Sequence, residues 1–246
     1  MRQKASHFLS VIVPAFQQEK TIVSDLKYIR RVLAQIRYPS ELIVVVDGKE
    51  DKTFTRAKIL KSGQFKVFQL KRRQGKGAAV RFGMKRAQGD YIAFLDAGME
   101  IDPNGLSMLL EHLEWYNADI IVGSKRHLAS VVNYPWDRKI LSWGYYWLVR
   151  LLFGVKIKDT QSGIKIFKRP VLEKVLPQLV VKQYAFDIEI LSLARALGFA
   201  KIYEAPIKLT YRFGSISDAA TLKTIYHMLY DTLAVWYRLK IRHWYD

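Results

Sequence analysis

The chain has 246 residues, with 40 Lys and Arg against 22 Asp and Glu, a formal net charge of +18, and no cysteine. Half of its residues are hydrophobic, which excludes a disordered basic tail, and the missing thiols exclude disulfide scaffolds, zinc ribbons and cysteine nucleophiles. The length fits one α/β domain or two smaller ones, and the positive excess must meet something anionic: nucleic acid, a phosphorylated small molecule or a membrane surface.

The N-terminus, MRQKASHFLSVIVPAF (residues 1–16), places basic residues before a short apolar run that ends in Pro14 with no cleavage pattern. It reads as a strand, not a signal peptide. FLSVIVP (residues 8–14) is apolar throughout, as a strand buried on both faces must be. A helix is expected over residues 20–36, with Ile22, Leu26, Ile29 and Leu33 on one stripe. Further strands are expected at residues 41–48, 65–70, 91–96 and 119–124, with helices at 52–60, 77–87 and 104–116 between them. Such alternation with short connections implies a mostly parallel sheet covered on both faces, with ligands beyond the carboxyl ends of its strands. The second half differs. Residues 136–153 are aromatic-rich at helical spacing, 159–167 form a loop entering a strand, 186–197 are helical, 201–211 strand-like, and 217–239 one long amphipathic helix. No run reaches the ~18 apolar residues of a spanning helix. The expectation is a cytoplasmic protein, attached at most to a membrane surface.

Several residues at these positions are equipped for chemistry. Asp47 ends a strand and can accept a nucleobase N–H or ribose hydroxyls. QGKGAAVRFGM (residues 74–84) lacks the spacing of a P-loop, but its glycines allow close backbone approach at a helix start, and Lys76 adds a point charge. In FLDAGMEIDP (residues 94–103), Asp96 and Glu100 can supply the hard oxygen ligands that Mg²⁺ or Mn²⁺ takes, the alternative being surface acids that flank a turn, while Asp102 suits a helix cap. FDIEI (residues 186–190) carries two carboxylates on different helix faces, and one of them is expected to face the cleft. Arg212, beside a glycine, suits bidentate phosphate contact.

Together the segments SVIVPAF, IVVVDGKEDKT, QGKGAAVRFGM, GDYIAFLDAG, VGSKR, DTQSGIKIF and FDIEIL resemble the family 2 glycosyltransferases of GT-A fold. The resemblance is to their polyprenyl-phosphate branch, which includes the dolichyl-phosphate mannose synthases and dolichyl-phosphate β-glucosyltransferases. It spans residues 10–217. It implies a GT-A domain over residues 1–217, with a nucleotide-binding half (8–125) and an acceptor half (126–217), followed by the helix of residues 218–246. It implies an inverting transfer of glucose or mannose from a UDP- or GDP-linked sugar to a polyprenyl phosphate at the cytoplasmic face of a membrane, with Mg²⁺ or Mn²⁺. A transferase with a hydroxyl or soluble acceptor, and a binding protein of the same fold without catalysis, are the alternatives. Nucleic acid is not an expected partner.

By position, the resemblance puts Pro14, Ala15 and Phe16 with Asp47 against the nucleotide sugar, where Lys76 is a candidate for diphosphate contact, and Asp96 at the first aspartate of the DxD metal motif. Lys125, Arg126, Arg138, Lys139 and Arg212 fall where basic residues meet phosphates. Gln161 lies on the acceptor side, and Asp187 matches the acid near the acceptor. The chain departs from the pattern at Val46, at Phe16-Gln17-Gln18, and at Gly98 in place of the second DxD aspartate. Glu100 then keeps the site's count of acids. The aromatic helices with Trp136, Trp143, Trp147, Arg150, Tyr226, Tyr230 and Arg242 suit an anionic bilayer interface.

Overall fold

Strands that are apolar at every position can only be stable between two covering layers, and this is where the first strands lie. The structure is a computed structural model that describes residues 7–133, 136–210 and 222–245, without the side chains of 136–140, 222 and 223. In chain order it contains β1 (Leu9–Ala15), α1 (Ile22–Leu33), β2 (Ser40–Val46), α2 (Thr53–Lys58), β3 (Phe65–Gln69), α3 (Lys76–Met84), β4 (Tyr91–Leu95), α4 (Gly105–Trp115) and β5 (Ile120–Ser124). There follow β6 (Val131–Asn133), α5 (Trp136–Phe153), β7 (Ile164–Lys168), α6 (Arg169–Val175), α7 (Phe186–Ala196), β8 (Ile202–Pro206), β9 (Lys208–Thr210) and α8 (Leu222–Lys240).

Seven strands form one sheet in the order β3-β2-β1-β4-β7-β5-β8. All neighbours are parallel except β7, which runs antiparallel to both β4 and β5. Alternate side chains build two cores. Ile12, Ile43, Phe94 and Phe167 pack with α3, α5, α6, α7 and α8 on one face. Val11, Val44, Leu95 and Ile166 pack with α1, α2 and α4 on the other. Fully burying each such side chain stabilises the fold by about 1.5–3 kcal/mol.

The expected mostly parallel sheet is present, with one feature that periodicity does not encode: the reversed strand β7 in its middle. The stretch 201–211, expected as one strand, divides around Ile207 into β8 in the main sheet and β9 in a small parallel pair with β6. β6 and α6 are too short to produce a periodic signal. The expected start of the last helix, residues 217–221, lies outside the described residues.

Candidate active site

Parallel strands bring their carboxyl ends to one edge of the sheet, and there the chain forms a cavity of about 460 Å³. Pro14, Ala15 and Phe16 leave β1 into it, Asp47 follows β2, Asp96 follows β4, and Lys125 follows β5. Because β7 is reversed, the loop before it, with Asp159, Gln161 and Gly163, arrives at the same edge. α5 and α8 close the opposite side with Leu141, Tyr145, Tyr146, Ile225 and Met228. Two non-glycine residues beside the cavity, Gln17 and Met99, have positive φ (49° and 54°). Strained backbone of this kind concentrates where loops must hold side chains in fixed directions.

Asp47 lines the cavity, but its carboxylate has a second task. Oδ1 accepts the backbone N–H of Gln74 and Oδ2 that of Gly75, both at 2.7 Å. The free N–H groups expected to favour an anion at this helix start are therefore already used in part by the protein's own carboxylate. Gly75 is required there: its φ is +110°, and a Cβ would meet the Lys182 carbonyl oxygen at 2.5 Å. Arg73, just before this loop, stacks over Phe16 with its guanidinium 4.1 Å from the ring centroid. An arginine within the basic run 71–73 gives no sequence signal of such a pairing.

The turn held by Asp47 starts α3 and aims Lys76 at Asp96. Lys76 Nζ donates to Asp96 Oδ2 at 2.9 Å and lies 4.0 Å from Asp187 Oδ2. Burial opposes the lysine's charge, yet Asp96 and Asp187 outweigh it and raise its pKa above the ordinary lysine value. Asp187 lies in the first turn of α7 and is 1% exposed. Its Oδ1 accepts from Lys165 Nζ at 2.5 Å, and Lys165, on β7, is fully buried. Burial lowers the pKa of Lys165, and Asp187 offsets part of that. The expectation that Asp187 or Glu189 faces the cleft is thus corrected. Neither lines the cavity, and Glu189 instead accepts the N–H groups of Val180 and Val181 and the hydroxyl of Tyr245. Both acids sit at a helix start packed into the core, so burial forces each to take protein partners. Asp187 reaches the cavity through Lys76. The signal for Lys165 was present in the sequence, as a charge inside the apolar run IKIF.

Asp96 is the exposed end of this row, its side chain 41% accessible. Its backbone N–H donates to the Gly163 carbonyl at 2.9 Å, and its carboxylate lies where a Cβ on Gly163 would stand. Glu100 lines the same cavity, whereas Asp102 Oδ1 accepts from the Asn104 backbone N–H and organises the turn before α4. Asp96 and Glu100 fit a hard divalent cation of the kind bound through one or two carboxylates together with substrate phosphates. Among the described residues no group of three or more His, Cys, Asp or Glu gathers to hold a metal by itself. Gly98 leaves room beside them: a Cβ there would meet only Gln18 Nε2, at 3.8 Å.

On the helix side, Lys125 donates to Asp159 Oδ1 at 2.9 Å, so its charge is partnered. Burial would raise the pKa of Asp159, but Lys125 holds it below the usual carboxylate value. Arg126 lies over Trp143 and Tyr146, at 4.5 and 5.0 Å from the ring centroids, and donates to the Lys158 carbonyl and to Ser142 Oγ. Gln161 donates to the Tyr145 hydroxyl at 3.3 Å, which is also bound to Thr232 Oγ1 of α8 at 3.0 Å. The structure thus brings together Pro14, Ala15, Phe16, Asp47, Lys76, Asp96, Glu100, Lys125, Arg126 and Gln161 in one cavity. Arg212 lies outside the described residues, and so do the side chains of Arg138 and Lys139 on α5.

Known proteins share this sequence pattern and this fold. Residues 10–176 match the glycosyl transferase family 2 model. The dolichyl-phosphate β-glucosyltransferase of Drosophila melanogaster is 33% identical over 252 residues, covering 96% of this chain and 76% of that protein. The human enzyme of the same name is 34% identical, covering 82% and 67%. Among solved structures, glucosyl-3-phosphoglycerate synthase from Mycobacterium tuberculosis, in complex with Mn²⁺, UDP and phosphoglyceric acid, shares the fold with a TM-score of 0.69 at 20% identity, covering 95% of this chain and 78% of that one. Mannosyl-3-phosphoglycerate synthase from Rubrobacter xylanophilus does so with a TM-score of 0.72 at 14% identity, covering 98% and 76%. Open α/β sheets bind ligands beyond the carboxyl ends of their strands, where this cavity lies, and the chain belongs to glycosyltransferase family 2, as an enzyme of GT-A fold.

Proposed function

We propose that this enzyme moves glucose from a nucleotide diphosphate sugar, with UDP the expected carrier, to a polyprenyl phosphate, inverting the anomeric centre. The observation that carries the reading is the two-sided cavity. Polar and charged groups at the strand ends and the start of α3 (Asp47, Asp96 and Lys76) face a wall of apolar and aromatic helix residues (Leu141, Tyr145, Ile225, Met228) across one space. A soluble sugar nucleotide fits the first side and the start of a lipid chain the second. The names of the β-glucosyltransferase relatives support the same pairing of substrates.

In this reading the acceptor phosphate is its own nucleophile. It is anionic near neutral pH and needs no strong base, which agrees with the burial of Asp187. Phe16 and Asp47 bound the nucleoside end. Lys76, on the diphosphate side of the cavity, adds positive field that stabilises charge as the diphosphate leaves. Arg126, with Arg138, Lys139 and Arg212, serves the acceptor phosphate, and Gln161 with Tyr145 sets its approach. A divalent cation, Mg²⁺ or Mn²⁺, held by Asp96 and Glu100 supplies Lewis-acid stabilisation of the leaving diphosphate when bound.

Exposed aromatic and basic groups on the outer sides of α5 and α8, such as Trp143, Trp147, Tyr230, Arg150 and Lys240, support peripheral binding to the anionic cytoplasmic face of a membrane. Among the described residues no helix is long and apolar enough to cross a bilayer. The test is incubation of the purified chain with UDP-glucose, UDP-galactose or GDP-mannose and with dolichyl or undecaprenyl phosphate, the products read by mass. Glucosylated lipid phosphate from UDP-glucose is expected. No lipid-linked sugar from any donor overturns the reading, and glucosylation of phosphoglycerate instead points to a soluble acceptor.

A further inference from the structure

Lys76 stands between two carboxylates of opposite accessibility. Asp96 Oδ2 lies 2.9 Å from its ammonium at the cavity, and Asp187 Oδ2 lies 4.0 Å away beneath it. Asp187 is fixed in turn, since Lys165 holds its other oxygen at 2.5 Å and is itself anchored on the Ser162 carbonyl at 2.6 Å. Asp96, Lys76, Asp187 and Lys165 therefore form a row of alternating charge from the cavity into the core, with two anions and two cations.

This row bears directly on the metal reading of Asp96 made above, on which the inference rests. A divalent cation at Asp96 has to bind a carboxylate whose Oδ2 already accepts from Lys76, and like charges about 4 Å apart repel strongly outside bulk water. Gly98 offers no side-chain carboxylate to outbid the lysine. A lysine has a flexible four-carbon stem, so its ammonium can move by an ångström or more without backbone change. The second carboxylate is already in place for it.

We propose that Lys76 is a movable counter-ion that guards Asp96 against a bare divalent cation and shifts toward Asp187 when the cation arrives with a diphosphate. Asp187 and Lys165 are positioning residues that keep the second seat in register. Metal and nucleotide then bind as a coupled pair, each strengthening the other by the same factor.

The experiment measures Mn²⁺ binding to the full chain by the electron paramagnetic resonance of free Mn²⁺, with and without UDP. In the unaltered protein, UDP strengthens Mn²⁺ binding. Lys76→Met tightens Mn²⁺ binding without UDP by about tenfold or more, as expected for removal of a unit charge so close to the ion. Much of the UDP dependence disappears with it. Lys76→Gln, polar but uncharged, shows the same gain, and Lys76→Arg does not. Asp187→Asn leaves Lys76 with Asp96 alone and weakens Mn²⁺ binding in the presence of UDP. If both neutral variants fold by circular dichroism and bind Mn²⁺ no better than the unaltered protein, the proposal fails. It also fails if the gain persists when Asp96→Asn is added. A negative lipid-glucosylation assay, by contrast, overturns the proposed function and leaves the Mn²⁺ titration standing.

Discussion

Gly163 shows how one residue without a side chain decides the position of another. The Asp96 carboxylate occupies the space that any Cβ at position 163 would need. Gly163→Ala must therefore turn Asp96 away from Lys76 and the cavity. Sugar transfer is expected to fall by about 100-fold or more, as for other ångström-scale displacements of a reacting constellation, with the fold retained by circular dichroism. The two acids that follow are separable in the same way. Glu100 lines the cavity and Asp102 is occupied by its own turn. Glu100→Gln is expected to lose metal-stimulated activity, whereas Asp102→Asn lowers the thermal midpoint by a few degrees and spares the metal response. Equal metal titrations of the two variants would contradict the assignment.

Helices and loops hold the cavity through buried charge, and this makes their stability measurable. α8 forms part of the apolar wall at its start and is clasped near its end, where Tyr245 donates to the fully buried Glu189 at 2.6 Å. Tyr245→Phe removes one donor from a buried carboxylate and is expected to cost about 1–3 kcal/mol, read as a lower urea midpoint. The β7 loop is held by the pair Lys125 and Asp159. The folded pKa of Asp159 lies below the ordinary 3.8, so its stabilisation is complete above that value. It is lost as pH falls through the depressed folded pKa. Below about pH 4 the protein is thus expected to lose stability, and Asp159→Asn to show a flatter acid limb in thermal melts recorded against pH.

At the scale of the whole molecule, the charge of +18 is divided between tasks. Lys76, Lys125 and Lys165 are partnered by acids inside or beneath the cavity. Others lie on the surface. Lys71, Arg72 and Arg73 are exposed beyond β3, at the cavity end of the sheet, and Arg150, Lys240 and Arg242 are exposed near the aromatic groups of α5 and α8. The protein is expected to sediment with vesicles containing anionic lipid and to release as salt rises, at up to about 1 kcal/mol per basic residue at the surface. The double variant Trp143→Ser, Trp147→Ser is expected to weaken this binding while soluble UDP binding stays unchanged. Salt-insensitive binding to neutral vesicles would argue against a charged interface.

The sequence by itself determined the layered α/β order, the strand ends that carry chemistry and the family. These follow from side-chain periodicity and short motifs, which are properties of neighbouring residues. Asp47, Asp96 and Lys125 line the cavity, as expected for residues that directly follow a strand, and Gln161, which the family resemblance put on the acceptor side, lies in the loop before β7. Only the tertiary structure decided which charges meet. Lys76 and Asp96 are 20 residues apart, Lys165 and Asp187 are 22, and Asp47 and Gly75 are 28. A helical pattern reveals that Asp187 begins α7, but not that β7 runs backwards through the sheet and sets a buried lysine against it. Whether a carboxylate faces substrate or core depends on what packs over it. That is a non-local fact, and here it leaves Asp187 1% exposed, beneath Lys76 and held by Lys165.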